Sequence, residues 1–98
     1  MTGNFWVYIL ECNNGSLYTG YTNDLQKRYQ EHREGKGAKY TRSFKPVAIV
    51  KSWRVFTERS VAMQVEAYIK KLSRGEKLLL VEQPHRLVEL FGEDNITI

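Results

Sequence analysis

Hydrophobic and polar positions change their period several times along this chain, and each change predicts an element. Phe5 to Leu10 is an unbroken run of aromatic, β-branched and aliphatic residues, the composition of a packed strand. Asn13-Asn14-Gly15 follows, residue types that tolerate the positive φ of a hairpin reversal. A three-residue loop there pairs Cys12 with Ser16, Leu10 with Tyr18 and Tyr8 with Gly20, with a second strand over Leu17 to Thr22. On this register Tyr8 and Tyr18 project from one face, and Gly20 leaves a gap beside Tyr8 that another backbone or a ligand can approach closely. Asn23, with Gln26 three residues on, predicts a capping box and a helix that sets Arg28 and His32 one turn apart. Gly35-Lys36-Gly37 ends that helix, and residues 35–46 read as a loop closed by Pro46.

The second half repeats the alternation on a larger scale. Ala48 to Phe56 predicts a third strand. Thr57 or Ser60 caps a second helix with an apolar stripe of Val61, Val65, Tyr68, Ile69 and Leu72. Ser73-Arg74-Gly75 breaks it, Glu76 to Gln83 forms a third helix ended by Pro84, and His85 to Phe91 adds one or two helical turns. The remaining GEDNITI reads as a flexible tail. The expected fold is α+β: a three-stranded antiparallel sheet flanked by helices, in the order β-β-α-β-α-α, one domain over residues 1–91 and a tail over 92–98.

Composition narrows the picture in three ways. At 98 residues, 42% hydrophobic and 27% charged, the chain can bury a core without staples. The lone Cys12 allows neither an internal disulfide nor a cysteine zinc site, and a reducing cytoplasm is the expected compartment. No signal-like leader or run of ~20 apolar residues is seen, so membrane roles are not expected. A monomer is the default.

Charge is unevenly placed. The net charge is +4, but residues 27–54 carry nine basic side chains against Glu31 and Glu34, a local excess of +7. Such a segregated field suits a polyanion, because each Lys or Arg set on a phosphate releases counterions. Lys27, Lys36, Lys39, Arg42 and Lys45 are the candidate nucleic-acid contacts, with Tyr40, Phe44 and Trp53 as potential stacking faces among them. A solvated basic surface is the plain alternative.

Tyr8, Tyr18, Arg28, His32 and Glu66 become informative only together. Singly, each has an ordinary reading: packed strand aromatics, a solvated arginine, a satisfied histidine, and in Glu66 an i,i+4 ion pair with Lys70 worth only ~0.3–0.5 kcal/mol. In combination they resemble the GIY-YIG nuclease family. Tyr18-Thr19-Gly20 is similar to the YIG half of its signature, and Trp6-Val7-Tyr8 stands where the GIY half belongs, with Trp6 replacing the first glycine. Arg28 falls ten residues after Tyr18, and His32 and Glu66 match further family positions, the latter within AMQVEAYIKKL. The likeness extends over residues 5–80, including GAKYTRSFKPV, and is greatest to the small single-domain branch.

The resemblance implies a Mg²⁺- or Mn²⁺-dependent endonuclease acting on nucleic acid, DNA foremost, with Glu66 as metal ligand. One carboxylate plus waters suits Mg²⁺, which retains much of its hydration shell. Arg28 would clamp the scissile phosphate through two parallel hydrogen bonds. Tyr18 would activate water, and Tyr8 would orient the water or phosphate. His32 would relay a proton or bind phosphate. Two rival classes remain: a module that binds nucleic acid without cutting it, and a protein-interaction domain. No convincing match is found to the asparagine that several active members place after the glutamate.

Overall fold

The hairpin forms at the predicted register. In the computed structural model, which describes residues 3–98, strand β1 (Phe5–Cys12) pairs antiparallel with β2 (Leu17–Thr22). Tyr8 stands opposite Gly20 and Leu10 opposite Tyr18. The Cys12 amide donates to Ser16 O at 2.9 Å, Gly15 N–H donates back to Cys12 O at 2.9 Å, and Gly15 takes φ 82°, the left-handed conformation that glycine adopts without strain. Residues 1 and 2, counted at the start of the expected domain, lie outside the described residues.

Helix α1 (Leu25–Arg33) begins one residue later than the capping pattern implied. The cap is Asp24, whose carboxylate accepts from Lys27 N at 3.2 Å, while Thr22 Oγ1 accepts from Asp24 N at 3.1 Å. The Thr22 hydroxyl thus extends the strand-to-helix link by one residue and leaves Asn23 in the bend. The loop expected over 35–46 contains a short helix, α2 (Lys39–Ser43). The third strand starts earlier than expected: β3 runs Pro46–Val55 on the other side of β1.

Helix α3 (Arg59–Lys70) follows Glu58, and neither Thr57 nor Ser60 serves as its cap. Its buried line is Ala62, Val65 and Ile69, and Tyr68 stays 40% exposed. Helix α4 (Arg74–Glu82) carries a full capping box between Ser73 and Glu76, so the segment expected as a simple break is also the start of the next helix. Helix α5 (His85–Phe91) forms where a turn or two was expected.

The C-terminus differs most from expectation. Instead of a free tail, Ile96–Thr97 forms β4, pairs with β3, and makes the sheet four-stranded in the order β2-β1-β3-β4. Gly92, at φ 96°, turns the chain; the Asn95 side chain donates to Phe91 O and accepts from Thr57 Oγ1, and Ile96 is fully buried.

The sheet is covered on both faces. Val7, Ile9, Trp53 and Val55 pack with Ala62, Val65, Ile69, Leu80, Leu87, Val88 and Ile96 on the face of α3–α5. Trp53 is fully buried there and donates from Nε1 to Pro84 O at 3.0 Å, which removes it from the potential stacking faces. Alternation along β1 sends Tyr8 and Leu10 to the opposite face, where Tyr8 meets His32 of α1. The catalytic candidates therefore do not share the main core. Tyr8, Tyr18, Arg28 and His32 line the second, smaller layer beneath α1 and α2, and Glu66 approaches from α3.

Candidate active site

Two glycines make the space in which the site is built. A Cβ on Gly20 would sit 2.7 Å from Tyr8 Cζ and collide with the hydroxyl. The gap expected beside Tyr8 is thus filled by the Tyr8 ring itself, lying over its cross-strand neighbour. A Cβ on Gly37 would collide with His32 Nδ1 and stand 2.9 Å from Cγ. The loop after α1 can close over the imidazole only because position 37 has no side chain.

A directed line of hydrogen bonds then runs through the buried layer. Tyr8 Oη lies 2.9 Å from His32 Nε2, and His32 Nδ1 lies 2.6 Å from Thr41 Oγ1. Thr41 donates its one hydroxyl proton to Ala38 O at 3.0 Å. Its oxygen therefore accepts from Nδ1–H, which leaves Nε2 as the acceptor of the Tyr8 proton. The electrostatics agree with this neutral tautomer. Burial and then the Arg28 charge push His32 down to about 4, with Glu31 opposing. Burial pushes Tyr8 up to about 12. The adjacent Arg28 guanidinium opposes that shift, while the charges of Tyr18 and Glu66 reinforce it.

The remaining candidates surround this line. Tyr18 is half-buried, its ring 5.3 Å from that of His32 in an edge arrangement and 6.1 Å from Tyr40 in a nearly parallel one. Arg28 contacts Glu31 through Nη1 at 3.2 Å with its side chain 35% exposed, so its outer N–H groups stay accessible to an anion. Glu66 belongs to α3, yet its carboxylate acts on the Tyr8 phenol. Its Oε2 is 3.5 Å from Lys70 Nζ, the ion pair that spacing predicts.

The donor set for a divalent ion is small. Among the described residues no cluster of three His, Cys, Asp or Glu side chains stands close enough to enclose a metal. A single carboxylate fits an ion that keeps its waters and takes substrate phosphate oxygens, the habit of Mg²⁺. Glu66 is the residue that would hold it.

Lys27, Lys36, Lys39, Arg42 and Lys45 are all solvent-exposed. Lys39 and Arg42 flank Tyr40 on α2, and Tyr40 packs on Phe44 with 5.2 Å between ring centres. Three contributors escape sequence reasoning. Thr41, which orients the imidazole, is nine residues from His32 across an irregular turn, so no periodicity connects them. Gly37 reads only as a helix stop. Lys77 joins Lys70, Leu17, Tyr18, Thr19 and Tyr40 around a cavity of about 300 Å³; nothing in the order of residues links α4 to β2.

Comparison with known proteins places the chain in a family. The model of the GIY-YIG catalytic domain matches residues 4–78. A UPF0213 protein of Bacillus velezensis is 48% identical over 88 residues, covering 90% of this chain and 88% of that protein. UPF0213 protein YazA of Bacillus subtilis is 46% identical over 82 residues, covering 84% and 82%. Among solved structures, the solution NMR structure of UPF0213 protein BH0048 from Bacillus halodurans matches with a TM-score of 0.53 at 49% identity, covering 82% of this chain and 84% of the other. That of EF2693 from E. faecalis gives 0.58 at 36% identity, covering 87% and 92%. With the family model matching residues 4–78 and these relatives covered over most of their length, this chain belongs to the GIY-YIG family of nuclease-type domains, among the small UPF0213 proteins.

Proposed function

We propose that this protein is a divalent-metal-dependent endonuclease that hydrolyses phosphodiester bonds, with DNA as its substrate. The observation that carries this reading is the buried Tyr8–His32–Thr41 line, which holds a fixed tautomer beside Tyr18, Arg28 and Glu66. A packing role alone does not call for a directed polar chain next to a half-exposed arginine and phenol.

Magnitudes divide the work between the two tyrosines. Bringing Tyr8 from about 12 to neutral pH is a shift of ~5 pK units, or ~7 kcal/mol. His32, held near 4, is too weak a base to drive it. Tyr8 therefore keeps its proton, donates it in a hydrogen bond to His32 Nε2, and uses its remaining lone pair to orient water or substrate. Tyr18, half-buried and facing a cavity, is the group assigned to activate the attacking water. Arg28 receives the scissile phosphate on two N–H groups, for which Glu31 must yield part of its contact. His32 holds the Tyr8 hydroxyl in place, and its burial between two partners favours this positioning over direct phosphate binding. Glu66 would hold the divalent ion, whose chemistry would be charge neutralisation at a phosphate oxygen.

The rival reading, a nucleic-acid-binding module that does not cleave, draws on the Glu66–Lys70 contact at 3.5 Å, which neutralises the only acidic residue assigned to metal. One experiment separates them: incubation of the purified protein with labelled DNA and RNA in Mg²⁺, Mn²⁺ or EDTA, with Tyr18→Phe and Glu66→Gln in parallel. Metal-dependent cleavage, lost in both variants while binding persists, is the expected result. Binding without cleavage in any metal assigns the protein to the rival class.

A further inference from the structure

Beyond the residues that resemble the family signature, the turn between α3 and α4 is docked on the catalytic hairpin. Arg74 donates from Nε and Nη2 to Gly15 O at 3.2 and 3.0 Å, and the Ser73–Glu76 capping box fixes the direction in which α4 leaves. Together they carry Lys77 to the same cavity as Lys70 and Tyr18. Lys70 has Glu66 as a partner. Lys77 has no carboxylate within 4 Å among the described residues, although it is half-buried. An unneutralised, partly desolvated ammonium next to a second one is unfavourable unless an anion joins them.

The third wall of the cavity offers hydrogen-bond donors. β2 is an edge strand. Because Cys12 and Ser16 close the ladder as a bonded pair, Tyr18 and Gly20 direct their amides to β1, and Thr19 directs its amide outward from the sheet edge. The Thr19 hydroxyl is buried and has no hydrogen-bond partner. Two ammonium groups and an outward amide around about 300 Å³ match the chemistry of a phosphodiester oxygen pair.

We propose that Lys77 and Lys70, with Thr19, form a second phosphate subsite that holds the nucleic-acid strand beside the scissile phosphate. This rests on the nuclease reading and names residues by which the strand is positioned. Tyr18 is common to both places, lying between the His32 ring and the cavity, so a phosphate held there fixes the strand against the phenol. Burial, followed by the Lys70 charge, shifts the Lys77 ammonium below its ordinary pKa, and a bound phosphate reverses that direction.

The test is a salt titration of binding by the full chain in EDTA, using fluorescein-labelled DNA in duplex and single-stranded form. Lys77→Gln should weaken binding about tenfold at low salt and reduce the slope of log K against log salt by about 0.7–0.9, the share of one phosphate contact. Lys77→Arg, which restores the charge, should recover the slope. In parallel, the Thr19 amide NMR resonance of the unmodified protein should move on titration with a dinucleotide, a readout independent of how the variants fold. A Lys77→Gln protein with unchanged affinity and slope, or a Thr19 resonance that stays in place, overturns the subsite while the nuclease reading stands. Absence of wild-type binding to either form of DNA overturns both.

Discussion

The Tyr8 hydroxyl lies 2.9 Å from His32 Nε2 with the shared proton on the phenol, because Thr41 gives its own proton to Ala38 O and accepts from Nδ1. Tyrosine from the first strand and histidine from the first helix are thereby locked into one neutral unit. Its consequences for stability and activity can be measured separately.

That unit makes stability depend on pH with a defined sign. His32 titrates at about 4 in the fold and near ~6.5 in the unfolded chain, so between these values the unfolded state binds more protons. The stabilisation is complete above ~6.5 and is lost as pH falls towards 4, an effect of ~3 kcal/mol. Urea titrations from pH 7.5 to 4.5 should show the midpoint falling over that window. In His32→Gln the fall should be much shallower; an equally steep one would assign the effect to another group.

Arg28 separates charge from geometry. Arg28→Ala should lower the cleavage rate by about 10²–10³, the usual cost of one preorganised donor to a developing anion. Arg28→Lys should restore only part, since the charge returns without the two-pronged donor. Single-turnover cleavage rates decide this, and full rescue by lysine would remove the bidentate role.

The basic surface should show itself in salt. Contacts to ~4–6 phosphates predict a slope of log K against log salt of about −3.6 to −5.4 on duplex DNA. Fluorescence anisotropy between low and physiological salt measures it directly. A slope near zero would leave the exposed Lys39, Arg42 and Lys45 as solubilising residues only.

Gly37 tests the closeness of the loop to the imidazole. Gly37→Ala places a methyl against His32 Nδ1 and should destabilise the protein by ~1–3 kcal/mol, as overpacking does. Thermal unfolding reads the loss. Gly75→Ala meets no neighbour within 4 Å and should leave the melting temperature at or above that of the wild type.

The C-terminal strand yields to the same kind of measurement. Ile96 is fully buried against the main core, so Ile96→Ala should cost ~2–5 kcal/mol. A free tail in this position would give no change in denaturation midpoint.

Local rules account for much of what could be read in advance. The hairpin register followed from a loop length and the glycine at its end, and that register alone put Tyr8 and Tyr18 on one face. The helix holding Arg28 and His32, and the third strand, were legible because period and breakers are properties of adjacent residues. The caps at Asp24 and Glu58 were misplaced because several neighbouring side chains were chemically able to serve, and the tertiary path chose among them. The two-residue strand at Ile96 was invisible for a related reason: too short to show a period, it exists because β3 offers an edge and Gly92 and Asn95 turn the chain onto it.

For the site, the sequence by itself determined which functional groups are present and which of them share a strand face or a helix turn. Only the tertiary structure decided their states. It buried His32 between Tyr8 and Thr41 and so set its tautomer, because a hydroxyl with one proton can donate only once. It brought Glu66 from α3 within electrostatic reach of a phenol on β1. It carried Lys77 to the edge of β2 through Arg74 and a helix cap. Such contacts arise between distant segments packed across a sheet edge, where no spacing along the chain records which side chains will meet.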